Sequence, residues 1–241
     1  MKKVFTMLLL MAAGTLCVQA QIQTQVQSPT SGSTSAQEFR RLHLGFDLGS
    51  NIVGGESFFH FDFELGYYLN QKNMLTLELG GGSLTGEQIG TFGYTVGATE
   101  YTDGKIYYGY RTFNPTLSWS YFLNAPEKKW RWYVGPSIGL LKITGDLNYK
   151  WGQSVTIDNL PKIDPVSSSA GVLSAHVGLN WNFARRWFAN LEYRIGAHTG
   201  ITLDSHQFTL GRHTVTVSET SFDALTHKIT VGVGWRFGSI Y

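Results

Sequence analysis

The chain has 241 residues, of which 42% are hydrophobic and 15% charged, and its formal net charge at pH 7 is +2. Its mean hydropathy of −0.10 excludes a polytopic helical membrane protein, and its aromatic content of 14% argues against a disordered chain. Glycine accounts for 28 of the 241 residues, well above the ordinary share of about 7%. Abundant glycine and aromatic residues with few prolines favour β-structure.

The N-terminus predicts export from the cytoplasm. Lys2 and Lys3 precede an uncharged apolar stretch over residues 4–16, which is too short for a spanning helix. Residues of small or modest size then occupy positions −3 and −1 of a cleavage site before Gln21. We therefore predict a signal peptide over residues 1–20.

Two segments follow the predicted cleavage site. Residues 21–40 are rich in Gln, Ser and Thr and predict a flexible leader, and residues 41–241 contain the folded domain. Cys17 is the only cysteine, so the mature chain is expected to hold no disulfide and no cysteine nucleophile. A lipoprotein alternative at Cys17 is disfavoured because Gly14 stands where leucine is expected. The mature chain would carry 17 basic and 17 acidic residues, so it lacks the excess of positive charge that is typical of proteins that bind nucleic acid.

The folded domain alternates apolar and polar residues with a period of two. Between Phe59 and Leu69, every odd position is apolar or aromatic, while the even positions include His60 and Asp62. Such alternation predicts a strand with one apolar face and one polar face. Eight stretches share this pattern, namely residues 42–49, 59–69, 75–80, 113–123, 130–140, 173–181, 187–196 and 228–237.

The connections between these stretches favour a membrane barrel over a soluble sandwich. Residues 70–73, 124–129 and 184–186 form short connections, whereas the connections after the third, fifth and seventh stretches exceed twenty residues. Short turns at one rim and long loops at the other are typical of outer-membrane barrels. The short connections recur at intervals of 55 to 58 residues, as expected for one tall hairpin repeated.

Aromatic residues concentrate near the short connections and the chain end. On the apolar faces of the predicted strands they would form a ring at one level, which is the girdle expected at a lipid–water interface. The predicted girdle consists of Tyr67, Tyr121, Trp130, Trp132, Trp181, Trp187, Trp235 and Tyr241.

Over residues 41–241, this architecture resembles the small OmpA-like (OmpX-like) outer-membrane β-barrel superfamily, in the form of Bacteroidota-type secreted chains cut before glutamine. The resemblance implies an all-β, antiparallel up-and-down transmembrane barrel in the outer membrane of a Gram-negative cell, with short periplasmic turns and long extracellular loops. The last strand resembles the targeting strand of bacterial outer-membrane proteins. Because it rests on architecture and not on a motif, the resemblance implies fold more than function.

Two details of the strands are open at this point. Eight strands are expected, and ten is the alternative, because residues 91–96, 105–111, 201–210 and 213–218 also read as strands. Pro136 lies inside the fifth stretch and predicts a bulge, since proline cannot donate to the ladder.

The polar strand faces would line a lumen only just wide enough for side chains. Charges in such an interior persist only when paired, so we interpret them as a salt-bridge plug. Counting from the short turns places Glu64, Glu78, Glu192, Arg194 and Arg236 at similar heights. The predicted lumen charge network consists of Asp47, Asp62, Glu64, Glu78, Arg131, Glu192, Arg194, Lys228 and Arg236, with His43, His60 and His176 beside it.

Three functions fit this reading. The first is a monomeric barrel with a structural or surface-interaction role through its long loops, where Tyr and Trp residues would form either a recognition surface or barrel extensions. The second is a narrow passive pore for small solutes or ions. The third is a lipid-modifying enzyme.

The sequence predicts no catalytic residue. The His-x-Ser pair of lipid A deacylase barrels is missing, because Gly200 stands two residues after His198 where the serine would be. Asp204, Ser205 and His206 resemble a triad, but adjacent strand residues point to opposite faces. No metal or cofactor is expected. The expected partners are outer-membrane lipid, lipopolysaccharide and, through the last strand, the barrel-assembly machinery, but no nucleic acid.

Overall fold

The structure, a computed structural model, describes residues 41–84, 86, 88–96, 99–126, 128–150, 165–210 and 213–237. The predicted signal peptide and leader therefore lie outside the described residues, as does Tyr241. Among the described residues, no helix has the length and hydropathy needed to cross a membrane. The strands are β1 Leu42–Val53, β2 Glu56–Tyr68, β3 Asn73–Leu84, β4 Gln88–Val96, β5 Thr99–Phe122, β6 Trp130–Lys150, β7 Val166–Asn182, β8 Trp187–His198, β9 Ile201–Leu203, β10 His206–Leu210, β11 His213–Val217, β12 Thr220–Phe222 and β13 Leu225–Phe237.

Eight of these strands close into a ring. Its order is β3-β2-β1-β13-β8-β7-β6-β5, each neighbouring pair is antiparallel, and pairing of β3 with β5 completes the circle. The predicted eight-stranded up-and-down barrel is therefore confirmed. The ten-stranded alternative is wrong: in the described part of the chain, β4 pairs only with β5, while β9 with β12 and β10 with β11 form separate two-stranded sheets.

The alternation of the sequence turns apolar side chains outward and polar side chains inward. On β2, Phe63 is 61% exposed on the outer face, whereas its neighbour Asp62 is only 1% exposed. The other ring strands repeat this arrangement, so exposed Leu, Phe, Val and Ile side chains form a belt around the barrel. A continuous apolar belt around a polar interior is the arrangement of a transmembrane β-barrel.

The described residues of the predicted aromatic girdle face outward near the short turns. Trp130 and Trp181 lie opposite each other in the β6–β7 ladder and stack with ring centroids 5.5 Å apart. The Nζ of Lys129 lies 5.7 Å from the ring centroid of Trp181. Tyr67, Trp130, Trp132, Trp181 and Trp187 are exposed, and Tyr121 and Trp235 are half-buried.

One wall of the barrel rises well above the apolar belt. β5 and β6 contain 24 and 21 residues, against 12 in β1 and 12 in β8. β4 pairs with the upper half of β5, and Ile106, Tyr108 and Leu147 form a buried cluster inside this extension. The residues predicted as a separate loop strand at 105–111 are thus the continuation of β5.

Pro136 does not produce the predicted bulge. The β5–β6 register is unchanged from the pair Phe113–Lys142 to the pair Tyr121–Val134, and the β6–β7 ladder is continuous. Instead, the β5–β6 ladder is interrupted opposite Pro136, as expected for a residue without an amide hydrogen. The strand therefore keeps the same inward and outward positions on both sides of the proline.

Candidate functional site

Two buried cations and three carboxylates form an ion-pair network across the middle of the lumen. Arg194 on β8 donates hydrogen bonds to Glu78 Oε1 at 2.6 Å and to Glu192 Oε1 at 2.7 Å. Lys228 on β13 donates to Asp62 Oδ2 at 2.7 Å and to Glu78 Oε2 at 3.1 Å. Glu78 therefore bridges both cations and links β3 to strands on the far side of the ring. We call these five residues the charge centre.

Neutral side chains complete the hydrogen bonding of the charge centre. The Oγ of Ser118 donates to Glu78 Oε1 at 2.6 Å, and the hydroxyl of Tyr133 donates to Glu192 Oε2 at 3.1 Å. Both donors are themselves buried. Because a buried carboxylate is stable only when it is paired and hydrogen-bonded, these contacts make the charge centre a cross-link between strands.

Asp47 and Glu64 lie in the same interior without an ion pair to either cation of the charge centre. Asn190 Nδ2 donates to Asp47 Oδ2 at 2.9 Å, and His43 Nε2 lies 3.7 Å from Glu64 Oε2. In the described lumen, this level therefore holds more carboxyl groups than permanent cations. Histidine and amide side chains, rather than further cations, surround the additional acids.

The remaining predicted charges, Arg131 and Arg236, lie with aromatic rings toward the periplasmic turns. The guanidinium carbon of Arg131 is 3.9 Å from the ring centroid of Phe122, and that of Arg236 is 4.5 Å from the ring of Phe188. Arg236 stands eight positions along β13 from Lys228. The equal height predicted for Arg236 and the carboxylates is therefore wrong, and Lys228 is the cation that joins Arg194.

Apolar side chains occupy the lumen on the periplasmic side of the charge centre. Tyr68, Met74, Phe122 and Tyr133 form a buried cluster, which we call the lower layer. Tyr68 and Phe122 stack with ring centroids 5.8 Å apart. Higher in the barrel, the inward positions of these strands carry polar residues. At this level, the inward positions carry mostly aromatic residues.

A larger apolar cluster occupies the lumen on the extracellular side. β9 and β12, which belong to the last long connection, place Ile201, Leu203 and Phe222 against the inner faces of the ring. The long connection between β8 and β13 therefore folds back into the barrel mouth. The members of this cluster, which we call the upper layer, are Val53, Phe58, Leu141, Ile143, Ala170, Val172, Ile201, Leu203 and Phe222.

Sequence reasoning missed the upper layer, although a signal for it exists. Phe58, Leu141 and Ile143 occupy the inward phase of their strands, in which lower positions such as Asp62 and Arg131 are charged. A change from polar to apolar residues in the inward phase therefore marks where the polar interior ends. The contributions of β9 and β12 carry no such signal, because three-residue strands are too short to show a phase.

A cavity of about 10 Å³ lies between the charge centre and the lower layer. Its walls include Glu64, Glu192, Met74 and Phe188. This volume accommodates about one water molecule.

Three tyrosines of the long β5–β6 wall, Tyr108, Tyr110 and Tyr149, pack inside it. Tyr108 is buried, with its ring centroid 5.3 Å from that of Tyr110. Burial, together with the nearby Tyr110 and Asp146, raises the pKa of Tyr108 to about 12. Burial and Asp146 also raise the pKa of Tyr149. These residues therefore build the interior of a barrel extension. Trp151, one of the loop aromatic residues for which the sequence predicts either a recognition surface or a barrel extension, lies outside the described residues.

Neither a metal cluster nor a closed triad-like site can be built from the described side chains named here. In the part of the chain that the structure describes, no group of three or more His, Cys, Asp or Glu side chains is arranged to hold a metal ion. Asp204 and Ser205 are exposed in the connection between β9 and β10.

The family of the protein follows from its sequence over nearly the whole length. Residues 8–237 match the family model described as the outer membrane protein beta-barrel domain. The chain belongs to this family. It is an outer-membrane protein, and the predicted membership of an outer-membrane β-barrel family is confirmed. No curated protein matches the sequence.

Solved structures with the same fold are distant in sequence. Neisserial surface protein A is similar with a TM-score of 0.50 and 11% identity, covering 81% of this chain and 96% of that chain. Ail, the attachment invasion locus protein of Yersinia pestis, is similar with a TM-score of 0.41 and 13% identity, covering 82% of this chain and 97% of that chain. The outer membrane protease OmpT of Escherichia coli is similar with a TM-score of 0.34 and 9% identity, covering 87% of this chain and 100% of that chain. The first likeness shows the fold alone, and the two lower scores carry no argument about function.

Proposed function

We propose that this protein is a monomeric outer-membrane barrel with a closed lumen, which acts structurally and through its extracellular end. The observation that carries the proposal is the layering of the lumen. The charge centre lies between the lower layer and the upper layer, so polar and apolar obstructions follow one another along the barrel axis.

The layering disfavours a passive pore. An ion crossing the lumen would leave water at the upper layer, where the buried side chains offer no polar ligand. It would then have to displace Arg194 or Lys228 from Glu78, which the two cations hold at 2.6 Å and 3.1 Å. A cavity with room for about one water molecule does not provide a path around these contacts.

The proposal is structural rather than catalytic. The five residues of the charge centre are buried and engaged with one another, so a substrate has no access to them. Asp204 and Ser205 lie outside the lumen-facing strands, in the exposed connection between β9 and β10.

The proposal is tested by vesicle permeability. We expect vesicles containing the folded mature protein to leak potassium ions and small sugars no faster than protein-free vesicles. Heat-modifiable electrophoretic migration, which reports barrel folding, provides the control for insertion. Permeation that scales with the amount of folded protein would contradict the closed lumen.

A further inference from the structure

Exposed basic residues follow the outer face of the tall β5–β6 wall. Lys105, Arg111, Lys142 and Lys150 share the outward phase with the lipid-facing residues of the same strands, and all four are exposed. We call them the basic stripe.

The basic stripe begins where the apolar belt ends. Leu140 is exposed on the outer face of β6, and Lys142 is the next outward residue above it. On β5, Phe113 is exposed opposite Lys142, and Arg111 is the next outward residue. Two residues of strand span about 6.6 Å, so the first two cations stand at the level of lipid headgroups.

Acidic residues do not neutralise the stripe. Arg111 pairs with Asp146 at 3.0 Å, with side chains 64% and 26% exposed. Among the side chains that the structure describes, which do not include those of Glu100 and Asp103, no carboxylate lies within ion-pair distance of Lys105, Lys142 or Lys150.

The register places like charges side by side. Lys105 lies directly opposite Lys150 in the β5–β6 ladder, and like charges in that position repel. The Nζ of Lys150 lies 4.9 Å from the ring centroid of Tyr107, which offsets part of this repulsion. An external anion would neutralise the remaining repulsion between the two lysines.

The stripe is a local feature and not a consequence of overall charge. The mature chain is expected to be formally neutral, and the exposed acids among the described side chains of the extracellular end lie on other strands and connections. These acids are Glu56, Asp204, Glu219 and Asp223. Among the described side chains, the exposed positive charge of the extracellular end is therefore concentrated on the β5–β6 wall.

We propose that the basic stripe binds the phosphate groups of a phosphorylated glycolipid in the outer leaflet, of the lipid A class. The stripe lies on the side wall directly above the apolar belt, where it meets neighbouring headgroups rather than soluble molecules approaching the loop tips. Lys142 and Arg111 contact the phosphates nearest the acyl chains, and Lys105 and Lys150 face anionic groups further from the membrane. The inference rests on the proposed orientation, with the long loops outside, but not on closure of the lumen.

The test compares binding of two lipids to the folded mature protein in micelles of an uncharged detergent. We expect bisphosphorylated lipid A to bind more tightly than the same lipid without phosphates, as measured by native mass spectrometry, and added salt to weaken the binding. Since a basic residue near an anionic lipid surface contributes about a fivefold change in affinity, K142Q/R111Q should weaken binding about 25-fold. Adding K105Q and K150Q should weaken the binding of lipid A no further, because these two residues face anionic groups that lie further from the membrane than the phosphates of lipid A.

The matched control is K72Q/K129Q, which removes two exposed cations at the opposite end of the barrel. It should bind lipid A as the wild type does. Equal affinity of wild type and the fourfold variant, or of the wild type for the two lipids, would overturn the proposal. Tight binding of a sulfated polysaccharide without binding of lipid A would also overturn it, in favour of a soluble polyanion. Permeability measurements report on lumen closure separately, so failure of one proposal is distinguishable from failure of the other.

Discussion

Glu78 shows how a single residue holds several strands together. It accepts hydrogen bonds from Arg194, Lys228 and Ser118, which lie on three other strands of the ring. Each of these groups lost its hydration on burial, so the stability of each depends on the others. Removal of one partner therefore leaves a buried charge without compensation.

Glu78→Gln should lower the free energy of unfolding by about 3 kcal/mol, because it keeps the side-chain volume but removes a buried anion beside two cations. Urea unfolding of the protein refolded in lipid vesicles measures the change. Glu56→Gln is the matched control, since Glu56 is exposed on β2, and it should change stability by less than about 0.5 kcal/mol. Equal effects of the two substitutions would contradict the role assigned to Glu78.

Tyr108 provides a test at high pH. Its pKa is raised from 10.0 to about 12, so the folded protein retains the phenolic proton more tightly than the unfolded chain. The resulting contribution to stability is complete below pH 10 and is lost as the pH rises toward 12. We expect unfolding stability to fall more steeply over this range in the wild type than in Tyr108→Phe. Identical pH profiles would show that the cluster around Tyr108 is not formed.

The sequence predicts which residues face the lumen but not which of them meet. The alternation along β13 predicts that both Lys228 and Arg236 face the lumen, because a period of two can be seen within a single strand. Their partners depend on how each strand is staggered against the next, which phase does not determine. Counting from the short turns therefore selected Arg236, whereas the register brings Lys228 to Asp62 and Glu78.

At the scale of elements, the ring strands were predictable because their alternation is long and uninterrupted. The prediction of residues 59–69 corresponds to β2 at Glu56–Tyr68, and that of 187–196 to β8 at Trp187–His198. The upper part of β5 was predicted as a separate strand. Above the belt, the outward positions become polar, so the alternation of apolar and polar residues that marks the lower part of the strand does not continue. β9 and β12 pack into the upper layer through tertiary contacts that no local pattern signals.

Phe222→Ala should loosen the upper layer without opening the ring. Phe222 is buried against Phe58 and Tyr110, with ring centroids 6.4 Å and 5.5 Å away, and removal of such a ring costs about 3 kcal/mol. We expect proteolysis within residues 199–224 to be at least tenfold faster than in the wild type, while heat-modifiable migration is unchanged. Ser221→Ala, at an exposed position of the same strand, should behave as the wild type. Unchanged proteolysis of Phe222→Ala would contradict the assignment of β12 to the upper layer.

At the scale of the whole molecule, the middle of the barrel has the opposite arrangement to a soluble protein, with apolar side chains outside and charged side chains inside. Toward both ends of the lumen, the interior is apolar. The belt presents apolar side chains to lipid around a charged interior, while the lower and upper layers are apolar clusters inside the ring. The proposed closure of the lumen therefore depends on three successive layers. Loss of the charge centre alone is not expected to open it, because both apolar layers remain.

Single-channel recording in planar bilayers tests the layered lumen most directly. We expect the wild type and Arg194→Ala to be silent, and discrete channels to appear only when Arg194→Ala is combined with Phe222→Ala and Phe122→Ala, so that every layer is breached. Ser221→Ala combined with Glu56→Gln should remain silent as the matched control. Steady conductance by the folded wild type would contradict the closed lumen and make the protein a pore.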